Sequence, residues 1–276
     1  MDIIQKLTDE LEVRKQQVEA AVKLIDEGNT IPFISRYRKE ATGALDDEQL
    51  RKLDERLRYL RNLEEKKAQV LSSIEEQGKL TEELRAEIEA AETQVAVDDL
   101  YRPYRPKRRT RATMAKEKGL EGLADIIRLQ MTERSLEEEA AAYLSEEKGV
   151  HTAEEAIAGA KDIIAEAVSD QAEYRTHIRE QIWKAGLITS EAKDEGQESV
   201  YETYYPFSQP VNKMAGHRTL ALNRGEAEKM LTVKIEEPEE EILTWLCGQV
   251  ITRSNAHTEQ ALEEAVEDSY ARLIRP

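Results

Sequence analysis

The side chains best placed to do chemistry lie in YRPYRPKRRTRA, Tyr101 to Ala112, which carries Arg102, Arg105, Lys107, Arg108, Arg109 and Arg111 without one carboxylate. Extended to residue 120, the stretch adds Lys116 and Lys118 against Glu117 alone, a local charge of +7 in a chain of −17, which leaves −24 on the remainder. The chemistry open to such a set is electrostatic: guanidinium and ammonium groups bind phosphate oxygens, and binding that displaces counterions weakens with salt. An acidic chain repels nucleic acid at a distance, so any contact must come from a local patch that outweighs the mean field. Arg102 and Arg105 each precede a proline, which biases both toward extended backbone, and Pro103 and Pro106 hold φ near the polyproline II value. At three residues per turn, Arg102, Arg105, Arg108 and Arg111 are expected on one ridge, about 9 Å apart, with Tyr101 and Tyr104 on a second. That ridge would run toward a helix start near Thr113. The competing reading is a strap, in which Asp98, Asp99 and the acidic body take up the same cations.

A second basic set, Arg36, Arg38 and Lys39, stands beside Phe33 and Tyr37, a mixture that suits nucleic-acid backbones and bases. Its competing reading puts both rings in the core and pairs the cations with Glu40 and the acidic first helix. The aromatic group Tyr201, Tyr204, Tyr205 and Phe207 is flanked by acids and is expected to form a small core under a loop.

Other chemistries lack their residues. Four scattered histidines and one cysteine give no zinc-ligand spacing and no internal disulfide. No Gly-rich phosphate loop and no Gly-x-Ser-x-Gly elbow occurs. Cys247, within ILTWLCGQVI, reads as a buried small hydrophobe. No catalytic residue, metal, cofactor or small-molecule substrate is therefore expected. The N-terminus lacks an apolar h-region and no run approaches the roughly 20 apolar residues of a membrane span, so a cytoplasmic protein without membrane contact is expected.

The elements that must carry these residues are helical. Glycine and proline are scarce, at 12 and 7, and 35% of the residues are charged, a composition of strong helix formers. The fold class is mostly α, a multi-helix bundle with long amphipathic helices. Ile4, Leu7, Leu11, Val18, Val22 and Ile25 predict one helix over 2–27, stopped by Gly28. After a short helix and turn, Asp46 or Asp47 caps a long helix over 47–77, striped by Leu50, Leu53, Leu57, Leu60, Leu63, Val70 and Ile74 and expected to pack on the first. Thr81 starts another, to about Glu92. Ser135 with Glu138 and Thr152 with Glu155 have capping-box spacing. The second of these should extend in one or two pieces to Ala185. The pattern is lost over 194–216, and one short strand is predicted at 231–236, where Leu231, Val233 and Ile235 alternate. Pro238 should then open a helix through Trp245. A domain cut is placed near 190, giving 1–190 and 191–276.

Three stretches, NTIPFISRYRKEATGALDDEQL (29–50), VDDLYRPYRPKRRTRATMAKEKGLEGLA (97–124) and FSQPVNKMAGHRTLALNRGEAE (207–228), together resemble the N-terminal region of the bacterial Tex proteins, transcription accessory factors. The resemblance implies a helical region with a helix-turn-helix-like part, followed in a longer protein by resolvase-like, helix-hairpin-helix and OB-fold RNA-binding modules. In that family nucleic-acid binding is attributed largely to the OB-fold. The third stretch departs from the family pattern, with Ala215 and Gly216 where a Pro-Ser pair precedes His-Arg, so no role is carried over to His217 and Arg218. The expected partners are RNA or DNA, bound weakly and salt-dependently through Arg102, Arg105, Lys107, Arg108, Arg109, Arg111, Arg36, Arg38 and Lys39, together with transcription machinery. The alternative is a scaffold that docks on a protein such as RNA polymerase and touches no nucleic acid.

Overall fold

A computed structural model describes residues 2–194, 196 and 199–276; residues 195, 197 and 198 of the stretch expected to be irregular lie outside it. The chain divides into two compact units, Met1–Tyr104 and Arg105–Pro276.

The first unit is built on α4. Its elements are α1 (Ile3–Leu11), α2 (Lys15–Asp26), α3 (Ile31–Tyr37), α4 (Asp47–Glu76), α5 (Glu82–Ala90) and α6 (Gln94–Tyr101). Asp46 caps α4 by accepting from the Gln49 amide at 2.8 Å, and the Gln49 side chain returns a bond to Asp46 N–H at 3.1 Å, which satisfies two donors the helix end would otherwise leave bare. The expected leucine stripe is buried along its whole length. Its first half packs on Leu7, Val18, Ala21, Val22, Ile34 and Leu45, and its second on Ile88, Ala91 and Val97. Lys67 occupies a stripe position and is buried; its ammonium donates to the Glu89 carbonyl at 2.7 Å, satisfying an acceptor at the end of α5.

The single helix expected over 2–27 is two. Glu12 adopts a left-handed conformation at φ 54° and its N–H bonds back to Thr8. The apolar period survives the break, and Leu7, Leu11, Val13 and Val18 all join the same core; bending the chain lets both pieces lay their stripes on α4. Arg56 of α4 clamps the Glu10 carboxylate of α1 with two bonds, 2.5 and 2.7 Å, and its guanidinium lies 4.8 Å from the Tyr59 ring centre. The hydrogen bond from Arg56 holds the Glu10 carboxyl below its usual range. A depressed folded-state value contributes stability at neutral pH that is lost as pH falls through it. Solvent screening keeps the pair to under about 1 kcal/mol. An Arg56→Ala, Glu10→Ala double-mutant cycle should give a coupling of that size at pH 7 that disappears on acidification.

The second unit wraps α10 (Ala153–Ser169). Around it lie α7 (Arg111–Glu117), α8 (Glu121–Leu129), α9 (Leu136–Ala140), α11 (Ala172–Ala185), α13 (Glu239–Val250) and α14 (Glu259–Asp268), with α12 (Gly216–Ala227) apart on a small sheet. Caps form at Ser135 and Thr152 as their spacing predicts. Pro238 caps α13 rather than opening it, and the helix runs on to Val250. Ala112, Ala115, Leu120, Leu123, Ile127, Ile164 and Leu262 fill the main core. The close approach of α7 and the start of α8 to α10 depends on Gly159, where a Cβ would stand 3.3 Å from Ala115 Cβ and 2.4 Å from Leu120 Cδ1.

The expected strand forms as β3 (Leu231–Glu236), but it is not alone: β1 (Leu187–Ala192) and β2 (Phe207–Pro210) complete an antiparallel sheet in the order β2-β1-β3. Ile188 of β1 faces Gln209 on one side and Ile235 on the other. β1 escaped notice because its inward residue is Ser190, buried with its hydroxyl on the Tyr204 carbonyl at 2.6 Å, so no apolar alternation marks it. The tyrosine group forms the expected small core, with Tyr201, Leu222 and Leu231 buried at its centre.

Gln130 locks the loop after α13 to the end of α8. Its side-chain amide donates to the Val250 carbonyl at 2.9 Å and its oxygen accepts from the amides of Thr252 and Arg253, both at 3.0 Å. Replacing it with leucine keeps the volume but leaves these buried groups unpaired, at about 1–3 kcal/mol for each group that water cannot reach. Gln130→Leu should therefore lower the unfolding midpoint in urea by several times the effect of an exposed substitution such as Gln249→Leu.

Candidate nucleic-acid interface

α3 and the turn after it hold Arg36, Arg38 and Lys39. Ile34, fully buried, fixes the helix to the first unit's core, and Phe33, Arg36 and Tyr37 are exposed. Arg38 ends the helix with its N–H on the Ile34 carbonyl. The turn is pinned from inside: buried Thr42 donates its hydroxyl to the Arg38 carbonyl at 3.2 Å, and the Gln17 amide reaches the carbonyls of Thr42 and Gly43 at 3.2 and 2.9 Å. Gly43 takes φ +60°, and a Cβ there would press on Gln17 at 2.9 Å.

On this base the rings are outside. Phe33 is 36% exposed and Tyr37 68%, their centres 5.3 Å apart and tilted by 43°, and the Arg38 guanidinium lies 5.5 Å from the Phe33 centre. Arg36, Tyr37, Arg38, Lys39, Glu40 and Ala41 line a shallow depression. Among the described residues none of the three cations forms an ion pair. The reading that buried both rings and paired the cations with Glu40 and the first helix is therefore not what the structure has.

The stretch 101–112 is organised differently from its expected ridge. Arg102 is helical, at φ −51° and ψ −44°, although a proline follows it, because α6 runs one residue further and the Arg102 N–H bonds to Asp99. Tyr101 and Tyr104 pack against the second half of the α4 core, with the Tyr101 hydroxyl 3.0 Å from Ser73 Oγ and the Tyr104 carbonyl accepting from Gln77 at 2.9 Å. Arg111 is the first residue of α7, capped by Thr110 through a 3.0 Å bond from the Thr113 amide. With both end arginines helical, the four guanidiniums do not share one polyproline ridge.

The carboxylates claim part of this set. Lys107 sits between Glu166 at 3.2 Å and Asp170 at 2.5 Å, one turn apart on α10, and Arg109 bonds Glu117 at 2.8 Å. Asp98, named for the strap, bonds Lys66. Arg105, Arg108 and Arg111 are exposed, and Arg102 is half-buried. Arg108 forms no ion pair among the described residues, and Arg111 acts electrostatically on Asp162 of α10 and Asp268 of α14.

Among the described residues no group of three or more histidine, cysteine, aspartate or glutamate side chains could hold a metal ion, and no helix is long and apolar enough to cross a membrane. Cys247 is half-buried, and burial, followed by the fields of Glu263 and Glu267, pushes its thiol above the ordinary value, the opposite of what a thiolate nucleophile needs.

Residues 1–75 match the model of the Tex-like protein N-terminal domain and residues 132–272 that of the Tex central region. The chain belongs to the Tex family. It is 45% identical to the protein YdcI of Bacillus subtilis over 99% of this chain and 38% of that protein. It is also 45% identical to the transcriptional accessory protein Tex of Neisseria gonorrhoeae, over 88% of this chain and 32% of that one. With YhgF of Escherichia coli the identity is 40% over 97% of this chain and 35% of the other. The chain thus spans about a third of the length of the curated relatives it matches. The basic stretch falls between the two matched regions, while the α3 cluster lies inside the first.

Proposed function

We propose that this chain is a non-catalytic helical part of a transcription accessory factor that makes an electrostatic contact with a nucleic-acid strand and positions modules that follow it. The observation that carries the reading is the α3 patch: two exposed rings among three cations without ion pairs, on a pinned turn, in a chain of net charge −17. Cations held near phosphates and rings held near bases are the two halves of single-strand binding. In the second unit Arg108, exposed and outside any ion pair among the described residues, is a further cation open to phosphate, whereas Lys107 and Arg109 serve the fold through Glu166, Asp170 and Glu117. The name of the Neisseria relative, a transcriptional accessory protein, supports the setting.

Fluorescence anisotropy with single-stranded RNA and DNA over a salt series tests it. With four to six phosphates neutralised, log K should fall against log salt with a slope of about −3 to −4. No detectable affinity at about 50 mM salt, where phosphate contacts are strong, would instead make the chain a protein-docking scaffold.

A further inference from the structure

Between Glu202 and Glu226 the sequence contains no acidic residue, although the chain carries 57. α12 is the main exposed element of that interval. Its inner side is narrow: Leu222 and Gly225 are buried, and a Cβ at 225 would stand 2.6 Å from Leu231 Cδ1, so the helix lies close on β3. At about 100° per residue the opposite side carries Leu220, Asn223 and Arg224, with His217 and Thr219 at its edges, while Arg218 falls on the inner side. All six are exposed, Leu220 by 70%. Lys213 stands just before the helix, and exposed Arg218 donates to Gln209 Oε1 at 2.5 Å. Among the described residues Lys213, Arg218 and Arg224 form no ion pair, and Glu226 and Glu228 come only at the C-terminal end of the helix.

The geometry points to the outward face of α12 as a contact face for double-stranded DNA. Cations outside any ion pair on an acidic body favour a polyanion. Arginine and asparagine on one helical face are the side chains whose paired donors and acceptors match guanine and adenine edges in the major groove, and an exposed leucine suits the thymine methyl. The outward face holds no Phe, Tyr or Trp ring, so unstacked bases find no such platform there. The deep, narrow major groove of A-form RNA admits no side chains, whereas that of B-form DNA admits a helix. This site is separate from the α3 patch, and neither depends on the other.

The test is anisotropy of the 276-residue chain with a short DNA duplex, an RNA duplex of the same sequence and a single strand. The DNA duplex should bind more tightly than the RNA duplex. The double variant Lys213→Gln, Arg224→Gln should weaken DNA-duplex binding at least about tenfold and flatten the log–log salt dependence by about 1.8, since each phosphate contact contributes about 0.9. Its single-strand affinity should stay at the parent value. If the double variant melts lower than the parent, Arg224→Gln alone decides, because that side chain makes no internal hydrogen bond among the described residues; its slope should drop by about 0.9. Unchanged duplex affinity in these variants, equal affinity for the two duplexes, or no duplex binding at all overturns the assignment, the last being the result expected of a face that docks a protein.

Discussion

Leu57→Ala is expected to cost about 2–5 kcal/mol, the range found when a fully buried leucine is truncated in a core that cannot collapse around the gap. Leu57 is 1% exposed and lies between Leu53 and Leu60 on the α4 stripe, with Leu7, Val18, Val22 and Ile34 brought to the same cluster by α1 to α3. Collapse is hindered from both sides. α4 is a continuous 30-residue helix with a closed capping box, so its backbone cannot bend inward. α1 and α2 are tied to it by Arg56 on Glu10 and by Arg61 on Asp26, the latter through bonds of 2.7 and 2.9 Å. Since whole domains are stable by only about 5–15 kcal/mol, the first unit should lose a large part of its stability. Urea unfolding followed by the far-UV signal should show an earlier midpoint with unchanged slope. A midpoint equal to the parent's would mean that the stripe is not the core.

What the sequence showed plainly was whatever is settled within four residues or one helical face. The starts at Asp46, Thr81, Ser135 and Thr152 were readable because a cap and the amide it satisfies are three residues apart. The α4 stripe was readable because every turn repeats it. The break at Glu12 was not, because no glycine or proline marks it and the apolar period runs through it; only the surface of α4 decides where the chain must bend. Arg102 broke the rule for residues before proline because Tyr101, anchored on Ser73 and the α4 core, carries the helix past it. The candidate site shows the same division. Tyr37 and Tyr101 both stand directly before an arginine, yet one is exposed and the other packs in the core. The difference lies in what the rest of the fold offers each ring, a hydroxyl and an apolar wall at 101 and solvent at 37.

That difference sets the last expectation. Phe33→Ala and Tyr37→Ala should each weaken single-strand binding by about 1–3 kcal/mol, the usual worth of one stacked base, or roughly 5- to 150-fold. Because no charge is removed, the salt slope should not move. The triple variant Arg36→Gln, Arg38→Gln, Lys39→Gln should do the reverse: three lost phosphate contacts flatten the slope on single strands by about 2. Neither group should shift the melting temperature much, since the rings are exposed and the cations form no ion pair among the described residues. Lys107→Gln supplies the contrast. Its ammonium lies between Glu166 and Asp170, whose side chains are only 19% and 14% exposed, so removing it leaves two half-enclosed carboxylates facing each other and should lower the melting temperature with little effect on the slope. Ring variants that melt early would show that Phe33 and Tyr37 are core after all. A triple variant with the parent's slope would show that the phosphates lie elsewhere. Either result would remove α3 from the interface, and a slope carried by Lys107 would return the contact to the basic stretch.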